Sequence, residues 1–486
     1  MNILSSLIQA SIWGGSSSAS VSPSSLFEIS DWANNTDRPN FKVGMHGGKH
    51  DVMPPRPQRR RYFGNWRTVA DTVRSGTGGA ADVTVQTPLY GAVGGTEMQL
   101  TIATGNTLTV AFDASQVKAA GSEIDVSNSS IGFSFRGISN TNLYTGLFQI
   151  DLFDSGTPAS PATYYLSGGS GSEFANWSTN SGTTEGREQR LSVDISQFTQ
   201  SGTGGTTDKT KIKWARIRIG ASGGTIVIAP KSIDATPRVS TKGRVCFSFD
   251  DGGYTQYSFL APLFQRYGMR ATAYLSPLAT ILGTTNTSTY QTTQQVINLL
   301  ESFGWQIGSQ GFSTEAAAIL GWTNDQLTAE GNKLRAMHAA LGVWGGIDGS
   351  YFGGVNHANV GVYDPLFRRH YRTMRGFRNG RAFAAGSMTP IGETLPFGDP
   401  SLIRAYNFSS GYTTGQAATM WIGLVDQAIA TKGAACFAGH SEFGSTGATL
   451  YADLVNLLTY CEQQVAAGNL ECNTVGELVA LINTYA

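Results

Sequence analysis

Two adjacent acidic residues follow a short apolar run in the middle of the chain. Val245 to Phe249 is apolar apart from Ser248 and leads directly into Asp250 and Asp251, with glycine next. An apolar run of this length that ends in glycine predicts a buried strand opening into a tight loop. Adjacent carboxylates repel each other, so the pair favours a site where a cation, a proton or a substrate group separates their roles. The alternative is an Asp-Asp-Gly turn on the surface.

The same stretch resembles the first motif of the NodB-type polysaccharide deacetylases, carbohydrate esterase family four. In that family a strand ends in Thr-Phe-Asp-Asp-Gly, and here Ser248–Gly252 reads Ser-Phe-Asp-Asp-Gly. The next family block is Ile-Gly-Ser/Asn-His-x-x-x-His. The matching stretch from Ile307 keeps the frame, but Gln310 and Thr314 stand at the two histidine positions.

The resemblance implies roles for the matched positions. Asp250 would be the general base, Asp251 a metal ligand, and His440, after the apolar run Ala434–Ala438, the general acid. Gln310 and Thr314 would hold the remaining metal-ligand positions. In the family a zinc ion, or another divalent metal, polarises the acetyl carbonyl and binds the attacking water.

The substituted ligand positions argue against a zinc site of the family kind. Zinc prefers imidazole, thiolate and carboxylate ligands, whereas a glutamine amide and a threonine hydroxyl are weak donors, suited at best to harder cations. We therefore expect no tightly bound zinc and leave the cofactor open. His357 is an alternative ligand if its loop folds inward, and a solvated loop histidine otherwise.

The family's loop Pro-Tyr-Gly-x-x-Asn has a partial counterpart, which predicts Tyr351 and Asn356 as substrate-binding residues. Tyr254 joins them because aromatic faces suit sugar rings. The proline is absent, and so is the arginine that orients the base in the family. Candidates to replace that arginine through space are Arg375, Arg378 and Arg381. Further candidate groove walls are Trp305, Phe312, Trp344 and Phe443, although single aromatic residues are more often core.

Composition limits the classes of partner. The 34 basic and 34 acidic residues cancel, so there is no overall field to recruit nucleic acid or an anionic membrane. No apolar run reaches the roughly 18 residues of a membrane span. The four cysteines have no Cys-x-x-Cys spacing, and we expect buried thiols rather than a disulfide scaffold.

With 486 residues, two or three domains are expected. Residues 1–75 are rich in Ser, Pro and Arg and predict an irregular attachment arm. Residues 76–238 contain short alternating runs, which predict an antiparallel, jelly-roll-like β-sandwich, either carbohydrate-binding or a spacer. Runs 211–219 and 225–229 predict a hairpin, and 234–238 a linker.

Residues 239–486 alternate strand and helix patterns, which indicates an α/β domain. The resemblance implies that this half of the chain is a distorted (β/α) barrel of seven strands. The predicted fold class is therefore multi-domain: an extended arm, a β-sandwich and a NodB-type barrel.

This layout resembles bacteriophage tail-fibre or tailspike proteins. The resemblance implies recognition of cell-surface polysaccharide such as O-antigen or capsule, attachment to other virion tail proteins through the arm, and a homotrimer as one oligomeric state. Acetyl removal from oxygen or nitrogen is expected if catalysis survives, and glycan binding or a structural virion role if it does not. The other alternative is an exported bacterial deacetylase, but the N-terminus has no Lys or Arg before Arg38, unlike a signal peptide.

Overall fold

The structure of the chain is a computed structural model. It describes residues 60–63, 73–76, 83–86, 97–105, 107–113, 123–139, 148–157, 160–168, 188–221, 224–275, 290–310, 323, 325–326, 328–329, 332, 348–351, 371–378, 392–408, 415–440, 443 and 450–484.

The first half of the chain forms two six-stranded sheets whose strand pairs are antiparallel. One sheet has the order β3-β4-β12-β6-β9 with β1 beside β12, and the other has the order β10-β8-β7-β11-β5-β2. The strands are β1 (Arg61–Tyr62), β2 (Val73–Gly76), β3 (Val83–Gln86), β4 (Glu97–Ile102), β5 (Thr107–Asp113), β6 (Ser129–Ser139), β7 (Phe148–Phe153), β8 (Tyr164–Gly168), β9 (Glu188–Asp194), β10 (Thr199–Gly202), β11 (Trp214–Gly220) and β12 (Ile226–Pro237).

Alternation along the strands creates the core between these sheets. Phe133 on β6 and Ile228 on β12 belong to the same buried cluster as Ile150 on β7 and Ile217 on β11. Since the cluster draws on both sheets, each sheet turns one apolar face to the other. The antiparallel β-sandwich expected from the sequence is therefore present.

Three local expectations were wrong. β11 and β12 do not form a hairpin, because β11 pairs with β5 and β7 while β12 pairs with β4 and β6 in the other sheet. The expected linker at 234–238 lies mostly within β12, where the buried Asp234 accepts hydrogen bonds from Arg190. β1 and β2 fall in the stretch expected to be irregular, since strands this short carry no alternation signal. Residues 1–59 of the predicted arm lie outside the described residues.

The second half contains a closed barrel. Its strands are β13 (Gly243–Phe249), β14 (Ala271–Leu275), β15 (Gln306–Gln310), β16 (Asp348–Ser350), β17 (Thr373–Arg378), β18 (Ile403–Asn407), β19 (Ala434–Gly439) and β20 (Leu470–Cys472). All neighbouring strands are parallel, and β13 pairs with both β14 and β19, which closes a seven-membered ring. β20 pairs in parallel with the first three residues of β13, on the side where β14 pairs with the last three. The parallel seven-stranded barrel implied by the resemblance is confirmed.

Helices cover the barrel, as parallel crossovers require. They are α1 (Ala261–Arg266), which continues a π-helical turn at Gln256–Leu260, α2 (Thr293–Glu301), α3 (Gln416–Thr431), α4 (Tyr451–Ala466) and α5 (Val475–Thr484). Phe247 and Phe249 of β13 pack against Phe264 of α1 and, with Trp421 of α3, belong to one buried cluster. The helix expected at 324–341 lies largely outside the described residues.

The barrel interior is polar at the amino ends of its strands. Asp348 on β16 is fully buried and accepts hydrogen bonds from Arg372, from Thr373 at 2.7 Å and from Gln306 at 2.7 Å. Gln306 in turn accepts from the backbone N–H of Gly476 at 2.7 Å, at the start of α5. This network pairs the buried charges and connects α5 to the amino ends of the barrel strands by hydrogen bonds.

The barrel and the sandwich meet at residues 392–399, which we call the junction segment. Thr394 Oγ1 lies 3.0 Å from Ser192 Oγ on β9, and the Val239 N–H donates to Leu395 O at 3.3 Å. A Cβ at Gly398 would lie 2.9 Å from Ser192 Cβ, so only glycine fits this approach. The junction is thus held by hydrogen bonds and by close backbone packing.

Replacing Thr394 by valine is expected to lower the free energy of unfolding by about 1–3 kcal/mol. The change keeps the shape of the side chain but removes a buried hydroxyl that bonds Ser192 Oγ and Pro396 O, both at 3.0 Å. Urea denaturation of the full chain measures the loss. The control is Thr419→Val, because that exposed hydroxyl bonds only Gly415 O within its own helix turn. Equal stability of the two variants would contradict a stabilising junction.

Within the described residues, no helix is both long enough and apolar enough to cross a membrane. All four cysteines are free thiols, and Cys246, Cys436 and Cys461 are buried. This agrees with the expected absence of a disulfide scaffold.

Candidate functional site

Strand register brings the candidate residues to one end of the barrel. Phe249 is in register with Gly439, and the Asp250 N–H donates to Gly439 O at 2.9 Å, so the residues that follow β13 and β19 lie side by side. His440 is the residue that follows Gly439. Across the barrel, Ser350 is in register with Arg375. The site is therefore assembled at the carboxyl ends of the strands, where α/β folds place their chemistry.

Asp250 is buried in this site and is bound on one carboxylate oxygen. Its side chain is fully buried, and Oδ1 accepts hydrogen bonds from Arg375 Nη2 and, at 3.3 Å, from Ser350 Oγ. Both partners lie on strands that do not neighbour β13, so these bonds cross the barrel interior. Arg375 is itself 1 % exposed and stacks over the ring of Tyr274, with its Cζ 5.2 Å from the ring centroid.

The other oxygen of Asp250 points to the candidate acid. Oδ2 is buried without a hydrogen-bond partner among the described residues and lies 3.9 Å from His440 Nε2. Asp251 Oδ2 lies at the same distance, 3.9 Å, from that nitrogen. The side chains of His440 and Asp251 are 37 % and 48 % exposed, respectively. One buried carboxylate and one accessible carboxylate thus flank an accessible imidazole.

Burial dominates the protonation of Asp250. It raises the pKa of the Asp250 carboxyl above its ordinary value, and Asp251 adds to the rise, while the charges of Arg375 and His440 act in the opposite direction. A base with a raised pKa holds its abstracted proton more readily.

A left-handed turn separates the two acids. Asp251 and Gly252 both have φ of +70°, a conformation that aspartate tolerates better than most residues. Gln256 Nε2 donates to Asp250 O at 2.5 Å, and Gln291 Nε2 donates to Gln256 Oε1 at 3.1 Å. The turn therefore leaves Asp250 buried and Asp251 partly exposed, and it is fixed by two buried amides.

Gln310 lies on the same end of the barrel. It is the last residue of β15, is 4 % exposed, and its Oε1 has no hydrogen-bond partner among the described residues. Such buried acceptors need a donor from water or from a ligand. Thr314, the other substituted ligand position, lies outside the described residues, as does His357.

The described residues of the site do not fit the zinc that the sequence resemblance implies. The described residues contain no group of three His, Cys, Asp or Glu that could hold a metal ion. Asp251 and the Gln310 amide remain as donors, and three protein ligands of imidazole, thiolate or carboxylate type are what catalytic zinc requires.

One candidate arginine binds the proposed base, and three candidate aromatic residues lie in the core. Arg375 binds Asp250, whereas nothing is described for the side chains of Arg378 and Arg381. Tyr351 is 2 % exposed and donates to Ser401 O at 2.9 Å. Together with Trp305 and Phe443 it belongs to the main barrel core, and contact of these residues with a substrate stays a prediction.

Of the remaining candidates, one is half-buried and the others lie outside the described residues. Tyr254 is half-buried and lies at the start of the helical segment that leads into α1. Asn356, Phe312 and Trp344 lie outside the described residues. Sequence reasoning missed Ser350, Gln256 and Gln291, because a serine or glutamine that bonds through space leaves no local signal.

Comparisons with known proteins add structural likeness alone. No family model and no curated protein matches the sequence. Among solved structures, a polysaccharide deacetylase, so far designated as putative, from Mycobacterium smegmatis is similar with a TM-score of 0.33 and 12 % identity, covering 50 % of this chain and 91 % of that one. A CE4 esterase from Streptococcus mutans has a TM-score of 0.32 and 13 % identity, covering 49 % and 87 %.

A third similar structure is a family 11 carbohydrate-binding module of a cellulosomal cellulase from Clostridium thermocellum. Its TM-score is 0.24 at 12 % identity, over 37 % of this chain and 95 % of the module. Similar solved structures thus include polysaccharide deacetylases and carbohydrate-binding modules. The closed barrel and the sandwich are established by their own strand pairing.

Proposed function

We propose that the barrel binds a cell-surface polysaccharide and hydrolyses acetyl groups on it, with Asp250 as general base and His440 as general acid. The observation that carries this proposal is the placement of Asp250 Oδ2 and Asp251 Oδ2 at 3.9 Å from the accessible Nε2 of His440. A buried carboxylate oxygen without a hydrogen-bond partner among the described residues, next to an accessible imidazole, supports an acid–base role for the two residues.

The reaction divides between these two residues. Asp250 takes a proton from a water molecule as the water oxygen bonds to the acetyl carbon. His440 gives its proton to the sugar oxygen or nitrogen as the bond to the acetyl carbon breaks, which releases acetate. Arg375 and Ser350 hold Oδ1 of Asp250, and this leaves Oδ2 for the water.

Release of acetate tests this proposal. We expect the full chain to liberate acetate from acetylated capsule or O-antigen, measured enzymatically and compared with heat-denatured protein. Retained binding of the polysaccharide with no acetate would contradict the hydrolytic proposal.

A second candidate function is glycan binding without hydrolysis. It is favoured by Gln310, a neutral amide at a position where the resemblance implies a metal-binding histidine. Oε1 of Gln310 and Oδ2 of Asp250 are buried acceptors without a partner among the described residues, and they suit the hydroxyl and N–H groups of a sugar. A binding assay on immobilised polysaccharide separates the two functions when it is run beside the acetate assay.

We expect purified protein to contain much less than one zinc ion per chain. The donor set described above lacks the ligands that zinc requires. Elemental analysis after dialysis measures the content, and EDTA is expected to leave the melting temperature unchanged, since only a ligand that binds the folded state would stabilise it. One zinc per chain that survives dialysis would contradict this prediction.

For the cellular context we propose a virion tail protein that recognises host polysaccharide, attached through residues 1–75 to other tail proteins. Support comes from the predicted arm, the sandwich and the barrel in one chain. Mass spectrometry of purified particles tests it: the chain should be found in virions, and its presence in culture supernatant alone would favour secretion.

A further inference from the structure

A second cluster of charged and aromatic side chains lies on the outer face of the sandwich. Alternation along β11 turns Ile217 and Ile219 into the core and Arg216 and Arg218 to the opposite face of the sheet. Asp151 on β7 and Tyr165 on β8 lie on that face too. We call Asp151, Phe153, Tyr165, Arg216 and Arg218 the arginine face.

A buried carboxylate orients both arginines. Asp151 is fully buried, and its Oδ2 accepts from Arg216 Nε at 2.5 Å and from Arg218 Nε at 3.0 Å. Arg218 Nη2 adds a bond of 3.3 Å to Oδ1, which also accepts from Gln149 Nε2 at 2.7 Å. Each oxygen of the carboxylate therefore accepts two hydrogen bonds, and the arginines are bound mainly through their Nε atoms.

Within the described part of the chain, the outer ends of the guanidinium groups have no acceptor. Neither Nη nitrogen of Arg216, nor Nη1 of Arg218, has a hydrogen-bond partner among the described residues, and none of these atoms is buried. The two side chains are 16 % and 25 % exposed. The two terminal nitrogens of Arg216, which bond to no described residue, match the two oxygens of a carboxylate.

Aromatic rings fix these arginines in place. The Arg216 guanidinium carbon lies 4.9 Å from the Phe153 ring centroid and 4.7 Å from that of Tyr165, and Arg218 lies 5.9 Å from Tyr165. Phe153 is stacked on Trp214 at 3.7 Å. Stacking restricts the arginine side chains before a ligand binds, so they lose less conformational entropy on binding. The half-buried ring of Tyr165 offers a surface for a sugar ring beside them.

The charge count selects the ligand. Two guanidinium groups and one carboxylate leave one unit of positive charge on a partly buried face. We propose that the arginine face binds the carboxylate of an acidic sugar residue in a glycan, with the sugar ring against Tyr165. The inference rests on the proposed function, because it names the class of polysaccharide that the protein recognises.

The test uses the full chain and a defined probe. Unacetylated tetragalacturonic acid and its methyl ester are titrated calorimetrically at low salt. The acid is expected to bind at least about 10-fold more tightly than the ester, because esterification removes the charge that the arginines recognise. Raising the salt concentration should weaken binding of the acid but not binding of the ester.

Variants locate the binding site. Arg216→Gln is expected to lose about 10- to 100-fold in affinity for the acid, and Arg216→Lys, which keeps the charge but not the fork, should lose part of it. Lys213→Gln is the matched control, since it removes one charge next to β11 from an exposed pair with Glu123 at 3.9 Å. Circular dichroism verifies that each variant is folded.

The outcomes are distinct. Equal binding of acid and ester, or an Arg216→Gln variant that binds like Lys213→Gln, overturns the acidic-sugar assignment. A chain that releases acetate but treats both probes alike loses only this inference. A chain that neither binds nor deacetylates any polysaccharide loses the proposed function as well.

Discussion

Asp250→Asn is expected to lower kcat/KM for acetate release by about 10²–10⁴-fold, the range for loss of a general base. The amide keeps the size of the side chain but cannot take a proton from water. Because burial raises the pKa of Asp250, the acid limb of the kcat/KM profile of the unsubstituted protein should lie above the pH expected for an ordinary aspartate. Acetate release measured over a pH series gives both results.

Two further variants make this prediction discriminating. His440→Gln removes the proposed acid from an accessible position and is expected to lower the rate without loss of stability. Asp251→Asn preserves a residue type suited to the left-handed conformation at φ +70°. If no metal takes part, its effect should be far smaller than that of Asp250→Asn. Equal rates for the unsubstituted protein and all three variants would leave only glycan binding.

Arg375→Met is expected to lower the free energy of unfolding by about 3–5 kcal/mol at neutral pH. The variant leaves the buried Asp250 carboxylate without its ionic partner. The other hydrogen-bond donor to this carboxylate among the described residues is the neutral hydroxyl of Ser350. Denaturant unfolding measures the loss. In double mutants with Asp250→Asn both charges are gone, and most of the loss should be recovered.

The pH dependence of this variant has a defined sign. The pKa of Asp250 is already raised in the folded state, and removal of Arg375 raises it further, because that charge lowers it. A carboxyl whose folded pKa is raised holds its proton more tightly when folded. The folded state is thus favoured most below the unfolded pKa and loses this advantage as the pH rises through the folded pKa. The destabilisation should therefore shrink at acidic pH.

Arg372→Met is the matched control for Arg375→Met. Arg372 pairs with the buried Asp348 at the other end of the same strands. Its loss should cost comparable stability but leave the acid limb of the acetate-release profile in place, whereas Arg375→Met should move that limb to higher pH. The same shift in both variants would contradict a specific role of Arg375 in positioning the base.

Much of the barrel could be predicted from local patterns. The apolar run before Asp250 became β13, and the run before His440 became β19, because fully buried parallel strands are continuous apolar stretches. The antiparallel sandwich was predictable from alternation, but the partner of each strand was not. β11 and β12 are adjacent in sequence yet lie in different sheets, and each buries one face in the core between the two sheets.

The sequence by itself determined that Asp250, Asp251 and His440 follow buried strands and that the imidazoles of the resembled motif are missing. Local patterns suffice for this, because strand ends are set by hydrophobic runs and glycine. Only the tertiary structure decided which arginine binds Asp250, that Tyr351 packs in the core, and that Arg216 and Arg218 share Asp151. These contacts join residues from separate strands, and closure of the barrel and pairing of the sheets alone bring them within hydrogen-bonding distance.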